Sequence, residues 1–206
     1  IPIGTRKMNN QRVNNQGSKF ILYAPVRHEK RYGMNVLDSN YMDYEIKKML
    51  SIISEGLIGF DNFILNIKYA PGHSLCQSNQ HNKFASDLLD IEYKILDKST
   101  SVANYIDKAF CTITYDSTVA LESISMGVPV IFLNAKSGYY ASLKNKTPGL
   151  LFANSKDELK DSFLSLKHNY NEVANAQHSI LEENYKLYEN NDMFDEILSS
   201  FVNRKI

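Results

Sequence analysis

The chain has 206 residues, 43% hydrophobic and 22% charged, enough for one good-sized α/β domain and at most two small ones. Lys plus Arg and Asp plus Glu number 23 each, so the basic excess of a general nucleic-acid binder is missing, while a local cationic pocket for one phosphorylated ligand is still allowed. The two cysteines, Cys76 and Cys111, fit neither a metal-ligand spacing nor a disulfide framework and read as reduced, buried thiols of a reducing compartment.

Taken in chain order, residues 8–18 (MNNQRVNNQGS) are polar and aperiodic, a linker or surface loop. Phe20–Ala24 (FILYA) is a continuous apolar run stopped by Pro25, which predicts a buried parallel strand. In Asn40–Ser54 the apolar residues Met42, Ile46, Met49, Leu50 and Ile53 recur at spacings of three and four, one face of a helix. Asn62–Tyr69 reads as a second strand ending at Pro71-Gly72, and Asp90–Leu96 as a third, half-exposed one. Ser101–Ala109 reads as a short helix capped by its serine. Cys111–Thr114 is strand-like, Ser117–Met126 helical and Val128–Leu133 strand-like again, with Gly127 placed as a left-handed helix terminator. Ser155–Leu166 carries a serine cap and two acids in its first turn, and Tyr170–Asn203 is helical with a break at Asn190–Asn191. There is no internal repeat.

Strands alternating with helices predict a Rossmann-like parallel sheet with helices on both faces. Such sheets bind ligands beyond the carboxyl ends of their strands. That selects the loops at Pro25–Tyr32, Ala70–Leu75, Asp97–Ser101, Tyr115–Thr118 and Asn134–Tyr140.

Residues 111–134 (CTITYDSTVALESISMGVPVIFLN) carry the strongest chemical signal. A strand ends at Thr114, the chain turns through Tyr115 and Asp116, and a helix begins near Ser117. Unpaired N–H groups and the positive end of the dipole make a helix start an anion site. The hydroxyls of Ser117 and Thr118 add donors. Glu122 follows Thr118 by four residues, on the same face and about 6 Å along the axis. That is about the distance from a diphosphate to the ribose it carries, whose hydroxyls a carboxylate can accept. The alternative is that Asp116 or Ser117 only caps the helix and Glu122 is a solvated acid. Val119, Ala120, Leu121 and Ile124 make this helix otherwise apolar, so an acid within it points to a partner.

This pattern of strand, Asp-Ser-Thr, helix with an acid, then Gly-x-Pro-Val and a strand resembles the nucleotide-sugar domain of GT-B glycosyltransferases. More narrowly, residues 21–31 (ILYAPVRHEKR) are similar to the opening strand and loop of that domain in CDP-glycerol glycerophosphotransferase-like enzymes and related surface-polysaccharide transferases. The opening IPIGTRKM resembles the exit from their N-terminal domain, and residues 149–166 the segment after the donor site. The resemblance spans almost the whole chain. It implies that 1–18 link to an N-terminal domain absent from this chain, and that 19–206 are the donor-binding domain with C-terminal crossover helices. It also implies that Ser117, Thr118 and Glu122 bind the donor's diphosphate and ribose.

Two departures stand against it. Related enzymes carry His-Pro after the second strand, where this chain has Lys68-Tyr69-Ala70-Pro71; His73, three residues on, is the candidate substitute. The acceptor-binding half and its base are not in these residues, so the chain alone should bind donor weakly and turn over little or nothing.

Lesser candidates are Arg27, with His28, Lys30 and Arg31, as a phosphate-binding cluster after the first strand, or simply a solvated basic loop. Lys136, Ser137 and Gly138 could wrap the transferred group or form a plain turn, and Tyr139 and Tyr140 could stack on a base or sugar. Lys68 reads as structural, and His81, His168 and His178 sit among polar neighbours and receive no role. No metal or other cofactor is expected, because nothing like HxxxH or a carboxylate cluster accompanies the histidines.

The resulting expectation is the donor-binding half of a bacterial transferase that builds surface polysaccharide or teichoic-acid-like polymer from a nucleotide diphosphate or monophosphate conjugate. A UDP-GlcNAc 2-epimerase-type enzyme and a non-catalytic binding or scaffolding domain are the rival readings, the latter favoured by Ala70. Val128–Leu133 and similar stretches fall far short of a membrane span, no signal peptide opens the chain, and Ile1 in place of Met suggests a piece of something longer. A cytoplasmic enzyme follows, touching the inner face of the membrane through its absent half.

Overall fold

Two predicted strands appear at the predicted residues: β1 at Phe20–Ala24 and β4 at Cys111–Thr114. The computed structural model describes residues 12–25, 39–69, 75–115, 117–133 and 149–185. Within them the chain runs β1, α1 (Ser39–Leu57), β2 (Ile64–Ile67), α2 (Leu75–Leu88), β3 (Tyr93–Ile95), α3 (Ala103–Ile106), β4, α4 (Thr118–Ser125), β5 (Val130–Leu133), β6 (Leu151–Ala153) and α5 (Lys156–Tyr185). Every strand pairing is parallel, and the six strands lie in the order β3-β2-β1-β4-β5-β6. The expected Rossmann-like sheet is thus observed.

Side-chain alternation sorts the helices onto the two faces. Ile131, Leu133 and Ala153 point into one core with Met49, Ile53, Phe84 and Phe163, under α1, α2 and the first half of α5. Val130, Phe132 and Phe152 point into the other, with Ala120 and Ile124 of α4 and Leu181 of α5. One helix reaches both cores: α5 leaves helical geometry at Asn169 (φ −127°, ψ 38°), with Tyr170 and Val173 still in the first core and Leu181 in the second. Where α5 crosses α1 the Leu159 side chain packs directly on Gly56, since a Cβ there would sit 2.8 Å from Leu159 Cδ2.

Several boundaries differ from the sequence reading for local reasons. The helix α2 was not expected, because LCQSNQHNKFASDL is mostly polar; among its described side chains Phe84, Ala85 and Leu88 pack on the core, joined by Leu89 just past its end. Nor was β6, which is three residues long. The α3 helix is one turn, its cap position falls on Val102 with no side-chain cap bond, and Ser101 contributes its carbonyl to Asn104 N–H at 3.2 Å. Ser155 does cap α5, its Oγ accepting from Glu158 N–H at 3.2 Å. Gly127 terminates α4 at φ +78° as expected.

Of the predicted linker, residues 12–18 are a surface loop tied down at several points. Val13 N–H donates to Met126 O at 2.9 Å, Asn15 Nδ2 to Asp107 O and Ala109 O at 2.8 and 3.0 Å, and Arg12 to Asn175 Oδ1 at 2.8 Å.

Cys111 is fully buried in β4, and desolvation of the thiolate raises its pKa far above the usual thiol range. In a Cys76→Ser chain, a thiol-specific reagent is therefore expected to leave Cys111 unmodified under native conditions and to titrate one thiol in denaturant. Rapid native labelling would show that β4 opens readily.

Candidate functional site

In a parallel sheet the carboxyl ends of all strands lie on one edge, and ligands gather where the strand order turns back on itself. Here that point lies between β1 and β4, the two central neighbours from which the chain proceeds outward in opposite directions. Ala24 and Thr114 are register partners at the ends of these strands, joined also by Thr114 Oγ1 donating to Ala24 O at 2.8 Å. The chain therefore leaves β1 and β4 from adjacent positions.

Ser117 is the cap of α4, with extended backbone (φ −121°, ψ 148°) and its Oγ accepting from Val119 N–H. At 3.3 Å that bond is longer than the usual N–H···O range, so a ligand oxygen competes with it at small cost. The cap role weighed as the alternative is thus real. It leaves the hydroxyl hydrogen able to donate outward. Ser117→Ala should lower stability by about 1 kcal/mol, read as a drop of roughly 2–4 °C in thermal midpoint; no change would mean the cap bond is negligible.

The α4 helix docks on the sheet through Ala120, Ser123 and Ile124, all buried. Ser123 Oγ lies 2.9 Å from Thr112 Oγ1 and 2.8 Å from Val119 O, which fixes the helix against β4 through buried polar atoms rather than apolar contact alone. The opposite side presents Thr118, exposed, and Glu122, half-buried. The structure thus brings Ser117, Thr118 and Glu122 onto one helix start and one helix face, beside the switch point. Arg27, His73 and Asp116 lie outside the described residues, as do Ala70, His28, Lys30, Arg31, Lys136, Ser137, Gly138, Tyr139 and Tyr140.

Two residues set aside in the sequence have definite places. His81 does not sit in polar surroundings: it is buried on α2 with its ring 5.6 Å from that of Tyr69. Its sequence neighbours are polar because they occupy the helix's wetter sides. Lys68, read as structural, is buried just past β2, and its Nζ donates to Tyr69 O at 3.1 Å and Lys98 O at 3.0 Å. The loop it reaches is closed by Asp97, whose carboxylate accepts from Ser99 N–H, Ser99 Oγ and Thr100 Oγ1. Those bonds, Ser99's first, hold the Asp97 pKa down at about 2. Asp-Lys-Ser-Thr is a recognisable turn sequence, but nothing in it announces a lysine from 30 residues earlier.

A shallow cleft of about 420 Å³ opens between α1 and α5, lined by Lys47, Lys48, Lys156 and Tyr44 among others. Its cations are largely engaged, Lys47 over the Phe84 ring at 4.6 Å and Lys156 with Glu55 at 3.0 Å. Among the described residues no group of three His, Cys, Asp or Glu side chains is placed to hold a metal ion. Nor is any helix there long and apolar enough to cross a membrane.

No protein-family model matches this sequence, and no curated protein matches it. Solved structures do. TarM of S. aureus, determined with UDP and α-GlcNAc-glycerol, superposes with a TM-score of 0.57 at 16% identity, over 96% of this chain and 37% of that one. The C-terminal domain of a group 1 glycosyl transferase (LpcC) of Francisella tularensis gives 0.54 at 13% identity, over 89% of this chain and 100% of that one. S. aureus MnaA, solved with UDP, gives 0.52 at 14% identity, over 80% and 41%. The fold is that of a C-terminal GT-B domain, and the chain spans under half the length of the full-length proteins it resembles.

Proposed function

We propose that this domain holds the nucleotide-linked donor of a bacterial glycosyl- or glycerophosphotransferase that builds surface polysaccharide. One observation carries the reading: Ser117, Thr118 and Glu122 share a helix start and face at the switch point of a parallel sheet. The diphosphate would lie on the α4 N-terminus, with Ser117 and Thr118 donating to its oxygens and Glu122 accepting from the ribose. As the donor bond breaks, negative charge grows on the leaving phosphate, and the same donors stabilise it without any new reorganisation. Arg27 and His73 are proposed to add to this site, and Asp116 to shape the turn. No metal is required by this scheme.

The GT-B fold, shared with structures solved with UDP, supports the donor class. The acceptor and its base would come from an N-terminal domain joined through residues 1–18, which would also make any contact with the inner face of the membrane. A cytoplasmic location belongs to the same proposal. An epimerase of the UDP-N-acetylglucosamine type is the second reading, favoured by the similarity to the putative UDP-N-acetylglucosamine 2-epimerase of Listeria monocytogenes (TM-score 0.50, 18% identity, 84% of this chain and 40% of that one).

A calorimetric screen of UDP, CDP, GDP and CMP conjugates tests the proposal. At least one is expected to bind; none binding at millimolar concentration overturns it. Incubation of the longer protein with UDP-GlcNAc separates the readings, since an epimerase yields the isomeric sugar without any acceptor.

A further inference from the structure

Lys68 lies at the exit of β2, on the ligand edge of the sheet, only 3% exposed. Its backbone continues the β-ladder, Lys68 N–H donating to Tyr23 O of β1 at 2.9 Å. Its ammonium donates to the carbonyls of Tyr69, leaving β2, and of Lys98, leaving β3. Tyr69 is itself fixed, fully buried against His81 of α2. On the other side the Asp97–Thr100 turn is closed by its own hydrogen bonds, so the ammonium joins two segments that are each locally shaped.

Burying an ammonium is costly unless its hydrogen bonds are made. A methionine fills nearly the same volume without that cost. What the ammonium adds is a tie between carbonyls 30 residues apart in sequence. We propose that Lys68 is a positioning residue, a buried cationic clip that fixes the β2 and β3 exits beside the ligand site without touching the ligand; its effect on ligand affinity rests on the nucleotide-binding reading above, its effect on the loops does not. Burial lowers the Lys68 pKa while the Asp97 carboxylate opposes that shift, as a clip held between desolvation and a nearby acid should show.

Hydrogen exchange on ligand-free wild type and Lys68→Met provides the test. Amides of residues 97–102 are expected to exchange about tenfold to a hundredfold faster in Lys68→Met, the weight of hydrogen bonds to a charged group, with β1 and β4 amides unchanged. Unchanged exchange at 97–102 overturns the clip. So does a Lys68→Met chain that fails to fold, because that is a core role. A second measurement needs no variant: acetylation of wild type should modify Lys68 at least about tenfold more slowly than exposed Lys94, through protection by burial. Equal rates overturn the clip.

UDP titration of both chains adds the ligand arm. Weaker UDP binding by Lys68→Met supports positioning, and unchanged binding alongside a loosened loop overturns it. If wild type binds no UDP or other nucleotide, the donor reading fails while the exchange result stands by itself.

Discussion

Gln177→Met is expected to lower the stability of this domain by about 3–5 kcal/mol, because the buried N–H and carbonyl of Val130 and the part-buried carbonyl of Gly149 lose this partner together. Gln177 lies in the second half of α5 and is completely buried. Its Oε1 accepts from Val130 N–H at 2.7 Å, and its Nε2 donates to Val130 O at 2.9 Å and to Gly149 O at 3.2 Å. The amide thus does for β5 what another strand residue would do, just where the pairing of Ile131 with Leu151 begins. Methionine keeps the volume, so the loss comes from unsatisfied Val130 and Gly149 groups rather than from a cavity. The entry to β6 is also sterically fixed: Gly149 stands at φ +99°, and a Cβ there would meet Ala176 Cβ at 2.6 Å. Chemical denaturation of wild type and variant would read the difference directly. A change below about 1 kcal/mol would mean that water or a small backbone shift takes over the amide's bonds.

Gln177 also shows where the sequence stops being readable. A single Gln among the polar residues of Asn169–His178 has no periodic or compositional signal, and its importance exists only once β5 and α5 are side by side. The same holds for Lys68, whose partner is 30 residues away, and for His81, whose neighbours in sequence say nothing about the Tyr69 ring. By contrast Phe20–Ala24 and Cys111–Thr114 are legible to the residue, because a central parallel strand is buried on both faces and is built from apolar and β-branched residues, the Thr112 and Thr114 hydroxyls being satisfied by Ser123 Oγ and Ala24 O. Tyr93–Ile95 is an edge strand and half-exposed as the sequence of 90–96 predicts, but it is shorter than that stretch, since an edge strand's alternating polar residues do not mark where pairing stops. The Ser117–Glu122 arrangement was legible for another reason: helix start, hydroxyls and acid are all local, and a spacing of four fixes their shared face. Whether that face meets Arg27 or His73 depends on loops that carry no such local rule.

Glu122→Ala is expected to weaken binding of the best nucleotide conjugate about tenfold to a hundredfold, the equivalent of losing a hydrogen bond to a charged group worth roughly 1.5–3 kcal/mol. The fold should survive the change. Glu122 is on the outward side of α4, away from Ala120, Ser123 and Ile124 that seat the helix. Its backbone carbonyl, which accepts from Ser125 Oγ at 2.8 Å and Met126 N–H at 3.2 Å, is retained by alanine, a better helix former than glutamate. Thr118→Val should cost less, since the backbone N–H groups at the helix start still face the phosphates. The order of the two effects is therefore diagnostic. A ribose contact makes Glu122 the larger loss, whereas a ligand held by its phosphates alone makes Thr118 the larger. Calorimetric titration of wild type and both variants with UDP or the best conjugate, alongside their thermal midpoints, decides between these outcomes. Should Glu122→Ala leave the dissociation constant unchanged, the ribose assignment falls, and the site becomes one for a phosphorylated ligand with no reason to carry a nucleoside.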